Sequence, residues 1–283
     1  MAQTEGTGLF QYLKFGVGAA NTGTGIVTGG DLTVNPQPRK RVGIGGHAVR
    51  RGGLIVPSGN AEFYLSLTNV ALLQAGLRAT YPYGALDELV IEGGADEWGR
   101  TYSTAVIEEY SIEYARDEGL KASVKWGALS VDAAAGGTQL AEANLNFEDY
   151  EFVIELESEE YGVNAVSIKG SNNVTWRGAA DTKAAGSLRL PTHYVYGVED
   201  LTVDLTTDRP LDQTDLEIWE DALPSDLSLV LTGTNGAETC TITLVNLQPG
   251  EEAHDLVDAN TPFGWKQSFI GDTAGSLTVA VTA

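Results

Sequence analysis

The 283-residue chain carries 39 acidic against 17 basic residues, a formal charge of -22, so its surface repels phosphate and excludes a conventional nucleic-acid or anionic-membrane binder. Its length suits one large domain or two of ordinary size, and the lone Cys240 excludes an intrachain disulfide framework. Residues 1–8 lack the basic-then-apolar order of a signal peptide, and no apolar run approaches the roughly 18 residues of a membrane span, so we expect synthesis in a cytoplasm and no membrane partner.

Taken in chain order, the first thirty residues are punctuated by Gly16, Gly18, Gly23, Gly25, Gly29 and Gly30 and predict an N-terminal arm, because glycine loses much backbone entropy on ordering and brings no apolar area. Residues 36–55 follow as a long loop between strands. Five of the 17 cations, Arg39, Lys40, Arg41, Arg50 and Arg51, crowd into it among glycines. A strand over Ala61–Leu67 leads to a helix capped by Thr68, with Val70, Leu73 and Leu77 on its buried face at i, i+3 and i+7. Period-2 alternation then gives a hairpin: Tyr110, Ile112 and Tyr114 before the turn Asp117-Glu118-Gly119, and Leu120, Ala122, Val124 and Trp126 after it. Phe152–Leu156, Leu201–Leu205, Thr239–Leu244 and Leu277–Val281 alternate likewise, the third placing Cys240 on the side of Ile242 and Leu244 as a buried, inert thiol. Thr214 caps a second predicted helix, with Leu216, Trp219 and Leu223 at the same spacing. The order of strands, helix and strands therefore occurs twice. It predicts a mainly β fold of two tandem sandwich domains with one helix each, residues 31–140 and 141–283, meeting in the polar, alanine- and glycine-rich stretch 131–146.

Motifs of chemistry are weak. Gly43-Ile-Gly45-Gly-His-Ala48 satisfies the letter of a dinucleotide fingerprint without a strand before it or a helix after it. His47, His193 and His254 stand far apart with no metal-ligand spacing, and Asp212–Asp215 lacks the glycine and closing glutamate of a calcium loop. Glu108-Glu109, Glu155, Glu157 and Glu159-Glu160 could supply paired carboxylates, but at this composition acids arise anyway on the wet faces of strands. The sequon Asn173-Val-Thr175 means little without a secretion signal. We expect no catalytic residue, metal or cofactor. The basic loop reads as a bland solvated loop, as a nucleic-acid contact, or as a contact whose complement is the acidic surface of the next copy, and we favour the third.

On the basic glycine-containing loop 39–53, the strand Gly59–Leu67 with the helix Asn69–Gly76, the hairpin Tyr110–Trp126, the stretch Leu190–Val203 and the closing β segments, the chain resembles the major tail tube proteins of long-tailed phages and archaeal viruses. The resemblance implies a virion structural protein of the tail whose copies form rings and contribute strands to a continuous β-barrel around a genome channel. The duplicated order resembles the two-domain members, which form trimers with pseudo-sixfold symmetry. It further implies that Arg39, Lys40, Arg41, Arg50 and Arg51 lie at the ring-to-ring contact, that other tail proteins are partners, and that DNA passes an acidic lumen without specific binding. The competing readings are a β-sandwich binding module, such as a capsid decoration or carbohydrate-binding protein, and an acidic hydrolase, which needs a concave site with a carboxylate of raised pKa.

Overall fold

The computed structural model describes residues 12–25, 27–34, 38–43, 46–51, 54–78, 84–95, 98–116, 118–137, 152–156, 159–178, 189–207, 227–234, 238–255 and 264–282. In chain order these form β1 (Tyr12–Gly16), β2 (Thr22–Gly23), β3 (Val27–Val34), β4 (Pro38–Gly43), β5 (Gly46–Arg51), β6 (Pro57–Tyr64), α1 (Val70–Gln74), β7 (Leu89–Ala95), β8 (Trp98–Ala115), β9 (Gly119–Ala134), β10 (Val153–Leu156), β11 (Glu159–Ser171), β12 (Val174–Arg177), β13 (His193–Tyr196), β14 (Asp200–Thr207), β15 (Leu227–Thr234), β16 (Thr239–Asp255) and β17 (Gly264–Thr282). The protein is mainly β, as the alternation predicts, and every ladder is antiparallel.

The hairpin β8–β9 is the spine. Its register sets Tyr110 against Val124, Ile112 against Ala122 and Ala115 against Gly119, whose φ of 77° closes the turn. On one side β9 pairs with β6, and β6 with β3; on the other, β8 pairs with β11, β11 with β14 and β14 with β17. The β8–β11 ladder, Ala115–Glu109 against Ala165–Ser171, crosses the expected boundary and joins the two expected units edge to edge in one sheet. The N-terminal half of β8 turns to pair with β7, and β7 with β1. Beyond β17 the path continues through β16 and β15 to β10.

One apolar core serves all of this. Phe63, Ile112, Val124 and Trp126 from the first half share it with Ile168, Val203, Leu231, Ile242 and Phe269 from the second. Cys240 is buried among them, and burial pushes its thiol up to about 12.

Three sequence expectations are corrected. Residues 12–16 are a strand rather than an arm: Tyr12, Leu13 and Phe15 precede the glycine run and supply enough apolar surface to be buried beside β7. The basic segment is not a loop, since β4 and β5 pair from Pro38↔Arg51 through Gly43↔Gly46. The first helix is five residues long and its N-cap is Asn69, not Thr68. Asn69 makes no capping bond; its Oδ1 accepts from the Ser66 N–H at 2.8 Å while its Nδ2 donates to the carbonyls of Thr24 and Tyr64. Val70 and Leu73 are buried as expected, whereas Leu77 packs on the core from beyond the helix end. The helix stops because it meets the sheet: a Cβ at Gly76 would stand 2.7 Å from Ile107, and the chain must turn there. Gln74 donates from Nε2 to the Val279 carbonyl at 2.8 Å and so ties α1 to β17. The second predicted helix, with Leu216, Trp219 and Leu223, lies outside the described residues, as does most of 131–146 beyond Gly137.

Because the halves share a ladder and a core, unfolding is expected to be a single cooperative transition. Ile168→Ala, in the β8–β11 seam, should shift that transition by about 2–5 kcal/mol in urea. A transition that splits in two would contradict a shared core.

Candidate functional site

Alternation gives the central sheet one buried face and one wet face, and the strand registers align the wet face into rows that cross it. One row runs Asn60, Lys125, Glu109, Ser171, Asp200; the next runs Glu62, Ser123, Ser111, Lys169, Thr202, Ile270; a third runs Tyr64, Lys121, Glu113, Ser167, Asp204, Ser268. The face is polar along these rows except at the exposed Ile270, with five carboxylates, Glu62, Glu109, Glu113, Asp200 and Asp204, and three ammonium groups, Lys121, Lys125 and Lys169. Its charges are partly paired. Lys125 Nζ lies 2.6 Å from Glu109 Oε1, and Lys121 Nζ lies 2.9 Å from Glu118 Oε2 and 5.7 Å from the centre of the Tyr64 ring. Exposed pairs of this kind add little to stability. Between the first two rows the face sinks into an open hollow of about 520 Å³, bordered by Gly29 and Gly30 of β3.

Behind this face lies a buried charged cluster. The Arg78 side chain, which follows α1, donates from Nε to Asn172 Oδ1 and from a terminal nitrogen to the Asn172 carbonyl, both at 2.9 Å. Asn172 in turn donates from Nδ2 to the carbonyls of Gly76 and Ile107. Glu199 Oε2 stands 4.0 Å from Arg78 Nε, and Glu199 Oε1 accepts the Tyr110 hydroxyl at 2.5 Å. Tyr110 reaches that carboxylate across Gly170, where any Cβ would strike the phenol ring. Arg78 also lies 5.0 Å from the centre of the Tyr196 ring. Burial holds the Glu199 carboxyl above its usual range, against the lowering effects of the Tyr110 hydrogen bond and Arg78.

Glu108 and Glu109 do not converge, and Glu157 lies outside the described residues. Glu108 accepts the Trp176 indole N–H at 2.5 Å, and its carboxyl is raised by burial although that bond lowers it; Glu109 faces the other way, to Lys125. Glu155 is exposed on β10. No group of three metal-ligating side chains occurs among the described residues. Asn173 donates both amide hydrogens, to the Val198 carbonyl at 2.8 Å and to Asp200 Oδ2 at 2.7 Å, so glycosylation of the sequon, which leaves Nδ2 one hydrogen, would cost one of these bonds.

The five predicted contact cations all lie on β4 and β5, whose register sets Arg39 opposite Arg50, Lys40 opposite Val49, Arg41 opposite Ala48 and Arg51 opposite Pro38. They form one ladder, separate from the central sheet. The Arg78–Asn172–Glu199 cluster was missed by sequence reasoning, because no local pattern marks its members and their partners are distant in the chain. No protein-family model matches the chain, and no curated protein matches it.

The cluster gives a pH-dependent expectation. A carboxyl raised in the folded state contributes stability that is present below its unfolded value and lost as pH rises through its folded value. Arg78→Ala leaves Glu199 buried without its cation, so it should cost about 3–5 kcal/mol near neutral pH. The cost should be clearly smaller near about pH 4, where Glu199 takes up a proton and keeps its bond to Tyr110. Equal costs by denaturant titration at the two pH values would contradict this.

Proposed function

We propose that this chain is a structural subunit of a viral tail tube, stacking in rings around a channel for a genome, with rings of three copies as the two-domain resemblance implies. The observation that carries the reading is the wet face of the central sheet: a largely polar surface, six strands wide, that the described elements leave open and on which carboxylates outnumber ammonium groups five to three. As a channel wall it would let a polyanion slide, since few counterions are released by contact with an acidic surface. The first strand of that sheet, β3, pairs with β6 alone among the described strands, an edge able to extend into a neighbouring copy and so build a barrel that no single chain closes. Other tail proteins and passing DNA are then its partners, the virion tail its location, and the host cytoplasm its place of synthesis.

The basic ladder β4–β5 joins successive rings in this reading, its five cations meeting carboxylates of the next copy. Each exposed pair contributes about 0–1 kcal/mol, but pairs repeated around a ring act together. A binding module, capsid decoration included, would instead use the hollow at Gly29, Gly30 and Lys169 and remain a monomer or compact oligomer.

Electron microscopy of the concentrated protein separates the two, with rings or tubes expected. Reversing Arg39, Arg41, Arg50 and Arg51 to Glu should leave circular dichroism and thermal unfolding of the free subunit nearly unchanged, because the two-stranded ladder is separate from the sheet that carries the core. Tube formation should fall sharply. Tubes of normal length and salt resistance from the reversed protein would remove the ladder from the joint.

A further inference from the structure

We propose that the two-stranded ribbon β12–β13 is a brace that holds the root of the basic hairpin β4–β5 in place. The hairpin leaves the sheet after Val34 of β3 and returns at Pro57 of β6, the last pair of that ladder. Its returning root, residues 54–56, belongs to no strand. It is held from outside the sheet. The Ile55 N–H donates to the Arg189 carbonyl at 2.8 Å, and Ile55 is buried. Leu54 lies against Gly178, so closely that a Cβ there would stand 2.5 Å from the Leu54 methyl Cδ1. Gly178 directly follows β12 and Arg189 lies four residues before β13; the ribbon's ladder runs from Val174↔Tyr196 to Arg177↔His193 and is prolonged by the Thr192 N–H bond to the Arg177 carbonyl at 2.9 Å.

The far side of the ribbon is anchored to the body by aromatic residues that each carry a second function. Trp176 lies flat over Gly127 of β9, where a Cβ would be 2.5 Å from the indole, and its N–H is held by Glu108 of β8. Tyr194 stacks on Trp176 at 5.5 Å between ring centres and donates its hydroxyl to Glu88 Oε1 at 2.9 Å. Tyr196 covers Arg78 of the buried cluster. The spine hairpin β8–β9 therefore fixes the ribbon, and the ribbon fixes the hairpin root. Two glycines, Gly127 and Gly178, let Trp176 and Leu54 approach the backbone closely. Ribbon residues act on the hairpin through Ile55 and Leu54, as positioning residues.

What the hairpin then touches rests on the tube reading; the brace itself does not, and the test separates them. Amide hydrogen exchange of the free subunit is measured for Trp176→Ala and for Gly178→Ala, the second a wedge at the brace contact that leaves the anchor on β8 and β9 intact. Both should speed exchange at Ile55 by about tenfold or more through local opening, with faster tryptic cleavage between Arg39 and Arg51. Exchange at Ile112 and Val124 in the spine should stay as in wild type. Trp176→Phe, which keeps the ring over Gly127, should lie between wild type and Trp176→Ala. If Gly178→Ala leaves Ile55 exchange and tryptic cleavage unchanged, the brace is overturned, whether or not Trp176→Ala folds. In the assembly arm, wild-type protein that forms no tubes sinks the tube reading while the exchange result still stands. Tubes from wild type but few from the two variants extend the brace to assembly.

Discussion

Pairing of β8 with β11 is the constraint from which the rest of this structure follows. A ladder shift by one residue would exchange the two faces of every strand beyond it, sending Ile168, Val203 and Leu205 to water and Lys169, Asp204 and Thr202 to the core. Tyr110 and Gly170 hold the register, since they are direct partners and only a glycine leaves space for the phenol ring. With that pair fixed, Tyr110 meets Glu199, the wet rows align across six strands, and both halves of the chain bury one core.

A buried ion pair is a weak source of net stability, because desolvation offsets most of the attraction. Here its role is geometric. Arg78, Asn172 and Glu199 come from the end of α1, the end of β11 and the start of β14, and their bonds reach the carbonyls of Gly76 and Ile107. The cluster therefore fastens three chain turns to the spine at one point, directly below the ribbon that carries Tyr196. Wrong docking of any of the three would leave a buried charge unpaired, which makes the cluster a check on correct assembly of the fold.

Strand content and face assignment were legible in the sequence wherever alternation was strict, as in Tyr110–Trp126, Leu201–Leu205 and Thr239–Leu244, because period 2 has one physical reading when half the positions are apolar. The turn at Gly119 was legible for the same reason. The short helix was visible through Val70 and Leu73, but not its cap, since Asn69 spends its side chain on distant carbonyls rather than on the helix. The strand at 12–16 was hidden by the glycines that follow it, and the basic ladder by glycine and proline that suggested a loop. Partners such as Asn172 for Arg78 are set by topology, and nothing local to either residue announces them. The functional reading draws on the same split: a polar sheet face is legible from alternation, and the resemblance, not the local pattern, supplies the tube.

In the proposed tube, the wet face of the central sheet is the channel wall. A cryo-electron microscopy reconstruction of tubes grown from the pure protein tests it most directly. Glu62, Glu113, Lys169 and Asp204 should point toward the tube axis, with β3 hydrogen-bonded to a strand of the next copy. A reconstruction that puts these residues on the outer surface, or buries them between subunits, would contradict the account.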